Sequence, residues 1–167
     1  MIRRIFLLLG THVLVGALGF ALGIYILPIL TAPDSPPAAQ VTAALDSATY
    51  TTTFKRNLKG SDAFHWGEGR VGVSKTQIAF DGEMAPGPNY QVYLTKEFVD
   101  DNASFERIKK DSLRVGEVKT FDRFLVDLPG KVDVDEYTTV VVWCERFSQF
   151  ISAGQYRSPA MEQASHN

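Results

Sequence analysis

The run from Ile5 to Leu30, IFLLLGTHVLVGALGFALGIYILPIL, constrains this chain more than any other stretch. It holds no formally charged residue, and only Thr11 and His12 interrupt it as clear polar side chains. About 20 apolar residues cross the hydrocarbon core of a bilayer, so the run spans with length to spare. A cleaved signal peptide is the competing reading, but its apolar part usually covers about 7–15 residues and ends at small residues. We therefore read residues 1–30 as a single transmembrane anchor, with residues 5–30 in the bilayer. Arg3 and Arg4 precede the run and the first charge after it is Asp34. The positive-inside rule then places the N-terminus in the cytoplasm and everything after Pro33 outside.

The opening RRIFL resembles the core of a twin-arginine export signal, without the polar residue before the arginines or the lysine after, and bears on the route of export rather than on activity. Within the helix, Gly19 and Gly23 are four apart with Gly16 and Ala17 close by, a spacing that would let two helices meet as a homodimer. Glycine is also simply frequent in membrane helices, which is the plainer explanation. His12 would need a second helix to form a bis-histidine haem site, so a hydrogen-bonded histidine near the interface is expected instead. Residues 31–48, rich in Pro, Ala and Ser and lacking a periodic apolar face, read as a partly extended linker.

From about residue 49 to 157 the pattern changes to short β-prone runs separated by turn residues. Thr49 to Phe54 is one; Glu68 to Ser74 and Gln77 to Phe80, joined at Lys75-Thr76, form a hairpin pattern; Tyr90 to Leu94 follows the rigid loop Ala85 to Asn89. One short helix interrupts, with Asp101 or Asn102 as its cap, Phe105 and Ile108 on one face, and Lys109 and Lys110 suited to its C-terminal end. Leu113 to Val118 and Phe121 to Leu128 complete the set before the last strand. Strands at such spacing imply a mainly β domain, an antiparallel β-sandwich or a barrel-like sheet, with one short helix. Residues 158–167 form a polar tail without a core face and are expected to be disordered. The net charge is −2 with two arginines in the N-terminal flank, so the exposed part is acidic and offers no nucleic-acid surface.

The most strand-like run is TTVVVWCERFSQF, Thr138 to Phe150, and it contains the only cysteine. Five consecutive apolar positions from Val140 to Cys144 leave no solvent face, which predicts a central strand covered on both sides. Alternation puts Val140, Val142, Cys144 and Arg146 on one face and Val141, Trp143, Glu145 and Phe147 on the other. A nearby arginine favours the thiolate, whereas apolar burial favours the thiol. Standard catalytic patterns such as a Walker loop, CxxC, HExxH or GxSxG are missing, so enzymatic activity is left open. Of the histidines outside the anchor, His166 falls in the tail and His65 is the only serious partner for Cys144. Copper or another soft metal would suit a Cys-His pair, but two ligands do not make a closed site, and no cofactor is encoded by a recognisable motif. The loop carboxylates, including Asp133 and Asp135, lack the pattern of a calcium loop.

Phe64-His65, Gly69, the GPN of Gly87 to Asn89 before YQVYL, LRVGEV at Leu113 to Val118, and VVVWCERF ending in SAGQY together resemble the DM thirteen domain, a family named for electron transfer. The likeness runs from about Ser61 to Tyr156. Asn89 stands where the family often has aspartate. The resemblance implies that Cys144 is the redox-active residue and His65 the family histidine, acting as proton partner or second ligand. Arg146 would tune the charge on the sulfur and Trp143 would shield it. The expectation is thus a bacterial inner-membrane protein whose periplasmic domain serves electron transfer or thiol redox chemistry with a membrane redox partner. The alternatives are a tethered binding or adhesion module in which Cys144 only fills the core, and a small-ligand carrier in the mouth of the sandwich.

Overall fold

The computed structural model describes residues 2–158. The expected tail lies outside them, apart from its first residue, as does His166. Helix α1 (Ile2–Thr31) is long and apolar enough to cross a membrane and buries none of its residues. Eight strands follow: β1 (Tyr50–Phe54), β2 (Gly67–Val73), β3 (Gln77–Met84), β4 (Tyr90–Thr95), β5 (Leu113–Val118), β6 (Arg123–Asp127), β7 (Thr139–Cys144) and β8 (Gln149–Gln155). They make two antiparallel sheets, ordered β1-β2-β3-β6 and β5-β4-β7-β8. This is the sandwich arrangement; neither sheet closes on itself, so the barrel-like option is not realised.

The inner faces meet in the main core. Phe54, Val71, Ile78, Phe80 and Phe124 come from the first sheet, and Tyr90, Val92, Leu94, Val140, Val142, Cys144 and Ile151 from the second. The rings of Phe54, Phe80 and Phe124 pack in series, with centroids 5.4 and 5.0 Å apart. The outer face of the second sheet is also covered. There Tyr93, Val141, Trp143 and Phe150 pack with Val99 and with Phe105 of α3 (Asn102–Ile108). All six residues of β7 are buried, as expected for a strand with two apolar faces.

That strand is shorter than its sequence suggests. The chain turns at Glu145 to Ser148, with Ser148 at φ 49°, and β8 then pairs back along β7. Arg146 therefore sits in a turn rather than next to Cys144 on a strand face. Alternation fails here because β8 returns to pair with β7 from Cys144 onward, which leaves Glu145 to Ser148 to make the turn.

A second helix, α2 (Ala38–Asp46), occupies part of the stretch read as an extended linker, so the domain carries more than one helix. Val41 and Leu45, four apart and both buried, pack on Ala79 and Leu125 on the outer face of the first sheet. Two buried apolar residues, one per turn, suffice for a helix that borrows its cover from a sheet, and so short a stripe gives little periodic signal. Gly72 makes the close approach feasible: a Cβ there would come 2.9 Å from that of Ala48 and 3.1 Å from Leu45 Cδ2. The junction is tied further where Ser35 Oγ donates to Asp122 Oδ1 and Arg123 Nε donates to the Pro36 carbonyl at 3.3 Å.

The cap of α3 is Asp101. Its carboxylate accepts from Ser104 N at 2.8 Å, Ser104 Oγ accepts from Asp101 N at 3.2 Å, and Lys59 pairs with the other oxygen. The hydrogen bond from Lys59, followed by those from Ser104, holds this carboxyl well below the usual carboxylate range.

Two outcomes follow from this packing. Leu45→Ala should lower stability to chemical denaturation by about 2–3 kcal/mol, as a buried leucine whose site cannot fully collapse; an unchanged midpoint would mean that α2 is not docked. Asp101→Ala should cost about 1 kcal/mol. Because the folded pKa is depressed, that contribution is complete above the ordinary aspartate range and fades as pH falls toward the folded value. The wild-type and variant unfolding curves should therefore converge in acid, and a gap that persists there would argue against the cap.

Candidate functional site

Cys144 is the last inward-facing residue of β7, opposite Tyr90 of β4 and Gln149 of β8. Beyond it the opposing sheet gives way to the loop between β3 and β4. That loop is pinned from beneath: Tyr90, buried in the core, sends its hydroxyl to the Ala85 carbonyl at 2.9 Å. Gly87 has no alternative, since a Cβ at that position would overlap the Tyr90 hydroxyl. Asn89 then takes a left-handed conformation, φ 60°, which asparagine tolerates better than most residues. The result places the Pro88 carbonyl 3.0 Å from Cys144 Sγ, which donates to it.

Cys144 is 2% exposed. Burial pushes its pKa up, and this outweighs the opposing pull of the backbone N–H groups of Phe147 and Arg146 and of the Arg146 charge. The competition left open by the sequence is thus decided for the neutral thiol. Cys144 is the only cysteine and forms no disulfide.

His65 reaches the same place from a different part of the chain. Asp62 builds a turn by accepting from the backbone N–H groups of Phe64 at 2.7 Å and His65 at 2.9 Å, an Asx-type device that suits a Gly-Ser-Asp cluster. The His65 ring closes back on it, Nδ1 lying 2.8 Å from Oδ2 and 3.0 Å from Oδ1. Burial alone would raise the Asp62 pKa, but these bonds from His65 and the backbone hold it below the usual carboxylate range.

Cys144 and His65 line one cavity of about 250 Å³. Its walls are mainly apolar: Pro86, Pro88, Tyr90, Phe147 and Ile151 from the sandwich, Phe64 beside His65, and Ala21, Ile24 and Tyr25 from α1. The Tyr25 and Phe64 rings meet edge-on with centroids 6.2 Å apart. Phe64 and Phe147 stay 63% and 52% exposed, unusual for large apolar side chains in the domain. An adjoining apolar pocket, about 380 Å³, shares Ile24, Pro88 and Phe147 and continues along α1 past Phe20, Leu27 and Pro28, with Arg146 at its edge.

Trp143 points the other way. It lies in the second core, its ring centroid 4.9 Å from that of Phe105 and 5.1 Å from Lys109 Nζ. Beside it Lys109 Nζ donates to Glu145 Oε2 at 2.6 Å while the Tyr93 hydroxyl donates to Oε1. Burial works against the Glu145 carboxylate, but the Lys109 and Tyr93 bonds hold its pKa below the ordinary range.

Of the four residues singled out from sequence, Cys144 and His65 share the cavity, Arg146 lies in the turn and edges the adjoining pocket, and Trp143 is on the far side of the sheet. The contributions of α1, the Asp62–His65 pairing and the Lys109–Glu145–Tyr93 group were not anticipated. Only the second left a local trace, an aspartate three residues before the histidine in a turn cluster. In α1, a Cβ on Gly19 or Gly23 would meet nothing within 4 Å, and His12 Nδ1 lies 2.7 Å from the Leu8 carbonyl of its own helix. Among the described residues, no three His, Cys, Asp or Glu side chains come together as a metal site.

A family model described as Electron transfer DM13 matches residues 54–156. No curated protein and no solved structure matches the chain. The matched span runs from the end of β1 to the residue after β8 and includes His65, the Pro86 to Asn89 loop and Cys144, so the chain belongs to the Electron transfer DM13 family.

Proposed function

We propose that this protein is anchored in a bacterial inner membrane by residues 1–30, with its N-terminus in the cytoplasm, and that its periplasmic domain takes part in electron transfer or thiol redox chemistry at Cys144. The domain would span 49–157, held to the anchor through 31–48. The observation that carries the reading is the shared cavity: in a family named for electron transfer, the only cysteine and a carboxylate-bound histidine line the same apolar space.

The chemistry follows from the environment of the sulfur. A buried, neutral thiol is a poor nucleophile until a base removes its proton. His65, fixed by Asp62, is the basic group in the same cavity. Arg146 and the N–H groups of the turn favour the thiolate once it forms, and Trp143 stiffens the strand from behind rather than screening the sulfur. A redox partner in the membrane would approach through the cavity mouth, beside α1. No metal or cofactor enters this reading.

A second reading has its own support. The S–H bond to Pro88 satisfies the thiol, and burial disfavours its ionisation, as in a cysteine that serves only packing in a tethered binding or adhesion module.

Alkylation of the folded, full-length chain separates the two. On the redox reading Cys144 labels slowly at pH 7 and faster as pH rises past the ordinary thiol range, near about 8.5, and His65→Ala lowers the rate at pH 7. Labelling that appears only after denaturation sinks it. The raised folded pKa has a sign for stability too. The thiol's contribution is complete below the ordinary thiol range and is lost as pH rises through the folded value, so wild type should weaken in alkali relative to Cys144→Ser. Serine can keep the bond to Pro88, so the variant is expected to fold; unaltered electron transfer by it would favour the binding module.

A further inference from the structure

The cavity and its apolar extension have the shape of a head site and a tail channel. At about 250 Å³ the head site lies just under the usual range for small-molecule pockets, about 300–1,000 Å³, which suits a single substituted ring and not a haem or flavin. Its walls present aromatic faces and edges from Tyr25, Phe64, Tyr90 and Phe147, surfaces on which a flat ring packs. The extension shares Ile24, Pro88 and Phe147 with it and is almost wholly apolar, so a chain attached to that ring can leave along α1.

The place is right for a ligand dissolved in lipid. The 30 residues of α1 make a helix of about 45 Å against a hydrocarbon core of about 30 Å, so roughly its last third stands in the headgroup region or beyond. Ile24, Tyr25 and Leu27 belong to that third and Ala21 stands one residue before it, so on the membrane placement proposed above the two pockets lie where bilayer and domain meet.

The polar end of the head site selects the redox form. Asp62 is ionised and accepts, so the hydrogen on His65 is held at Nδ1. Nε2 is then an acceptor in the neutral ring, and it is the nitrogen left for a ligand. The Cys144 S–H is already committed to Pro88. The site therefore offers a ring hydroxyl an acceptor at His65 and gives a carbonyl no free thiol donor, while the Tyr25 hydroxyl on the same wall can donate or accept and so serves either form.

We infer that the cavity beside Cys144 binds the ring of a lipid-soluble hydroquinone, a ring hydroxyl donating to His65 and the hydrocarbon tail lying along α1. The inference deepens the electron-transfer reading above and rests on its membrane placement, but it does not require Cys144 to react.

The test uses the full chain in phospholipid nanodiscs, titrated with a decyl-substituted benzohydroquinone or the matching benzoquinone, and followed by tryptophan fluorescence and thermal shift. Binding should be saturable beyond partition into empty discs. The hydroquinone should bind about three- to tenfold tighter than the quinone, as one added hydrogen bond would give. His65→Phe should remove that preference while keeping binding. Ala21→Trp should block both forms; Ala21 is exposed on α1, outside the sandwich core, so the domain's unfolding transition should be unaffected. Equal affinity for both forms, no saturable binding, an indifferent Ala21→Trp variant, or a co-purifying phospholipid that the hydroquinone cannot displace would overturn the proposal. Binding with an inert Cys144 would leave the site standing and bring down only the thiol chemistry. A chain that does not enter the discs would overturn both.

Discussion

Burial of β7 on both faces is the constraint from which the rest of the domain follows. Six consecutive residues, Thr139 to Cys144, are out of solvent, and their backbone is satisfied by β4 on one side and β8 on the other. Such a strand is stable only if each face finds its own apolar cover. The first sheet supplies one, meeting Val140, Val142 and Cys144; α3 and neighbouring loops supply the other, around Val141 and Trp143. Cys144 occupies the last inward position, where sheet cover ends and loop cover begins. Its neutral thiol, its bond to Pro88 and its place on a cavity wall are all consequences of standing at that edge. One residue earlier it would be Trp143, facing the opposite core.

The second sheet thus carries the site, and the first fixes it relative to α1. Docking of α2 through Val41 and Leu45 removes the slack that a Pro- and Ala-rich stretch would otherwise give, and Ser35 with Asp122 and Arg123 with Pro36 close the remaining gap. The end of α1 is therefore positioned against Phe64 and the Pro86 to Asn89 loop. An extended tether would have left Phe64 and Phe147 facing water. With the short junction they face an apolar helix.

How much of this was legible depended on whether the signal was local. The strands of the sandwich up to β7, the hairpin of β2 and β3, a helix cap at Asp101 or Asn102 and the two-sided burial of β7 rest on alternation and turn chemistry within a few residues, and the sequence shows them, whereas β8 was not read as a strand of its own. The end of β7 was harder: Glu145, Arg146 and Phe147 continue an alternating pattern, and only the return pairing of β8 forces a turn there. Helix α2 was missed because its apolar stripe is two residues long and its stability comes from Ala79 and Leu125, far along the chain. The pairing of Cys144 with His65 in one cavity could be posed as a question from composition, since few partners existed, but not answered. The α1 wall and the Lys109–Glu145–Tyr93 group are purely tertiary.

The two polar ends of the site are built to opposite rules, and the difference bears on any chemistry placed there. At Cys144 the protein removes water and offers a carbonyl, which stabilises the protonated form. At His65 it keeps a partly exposed carboxylate ionised through three hydrogen-bond donors, which fixes the ring in place. A proton that left the thiol would therefore leave a negative charge in a place that disfavours it. That separation is costly in a low-dielectric space and is offset only where the charges remain close or water can enter. Phe64 and Phe147 line the cavity and stay more than half exposed, so the side chains that make it apolar are also the ones that stand between it and water.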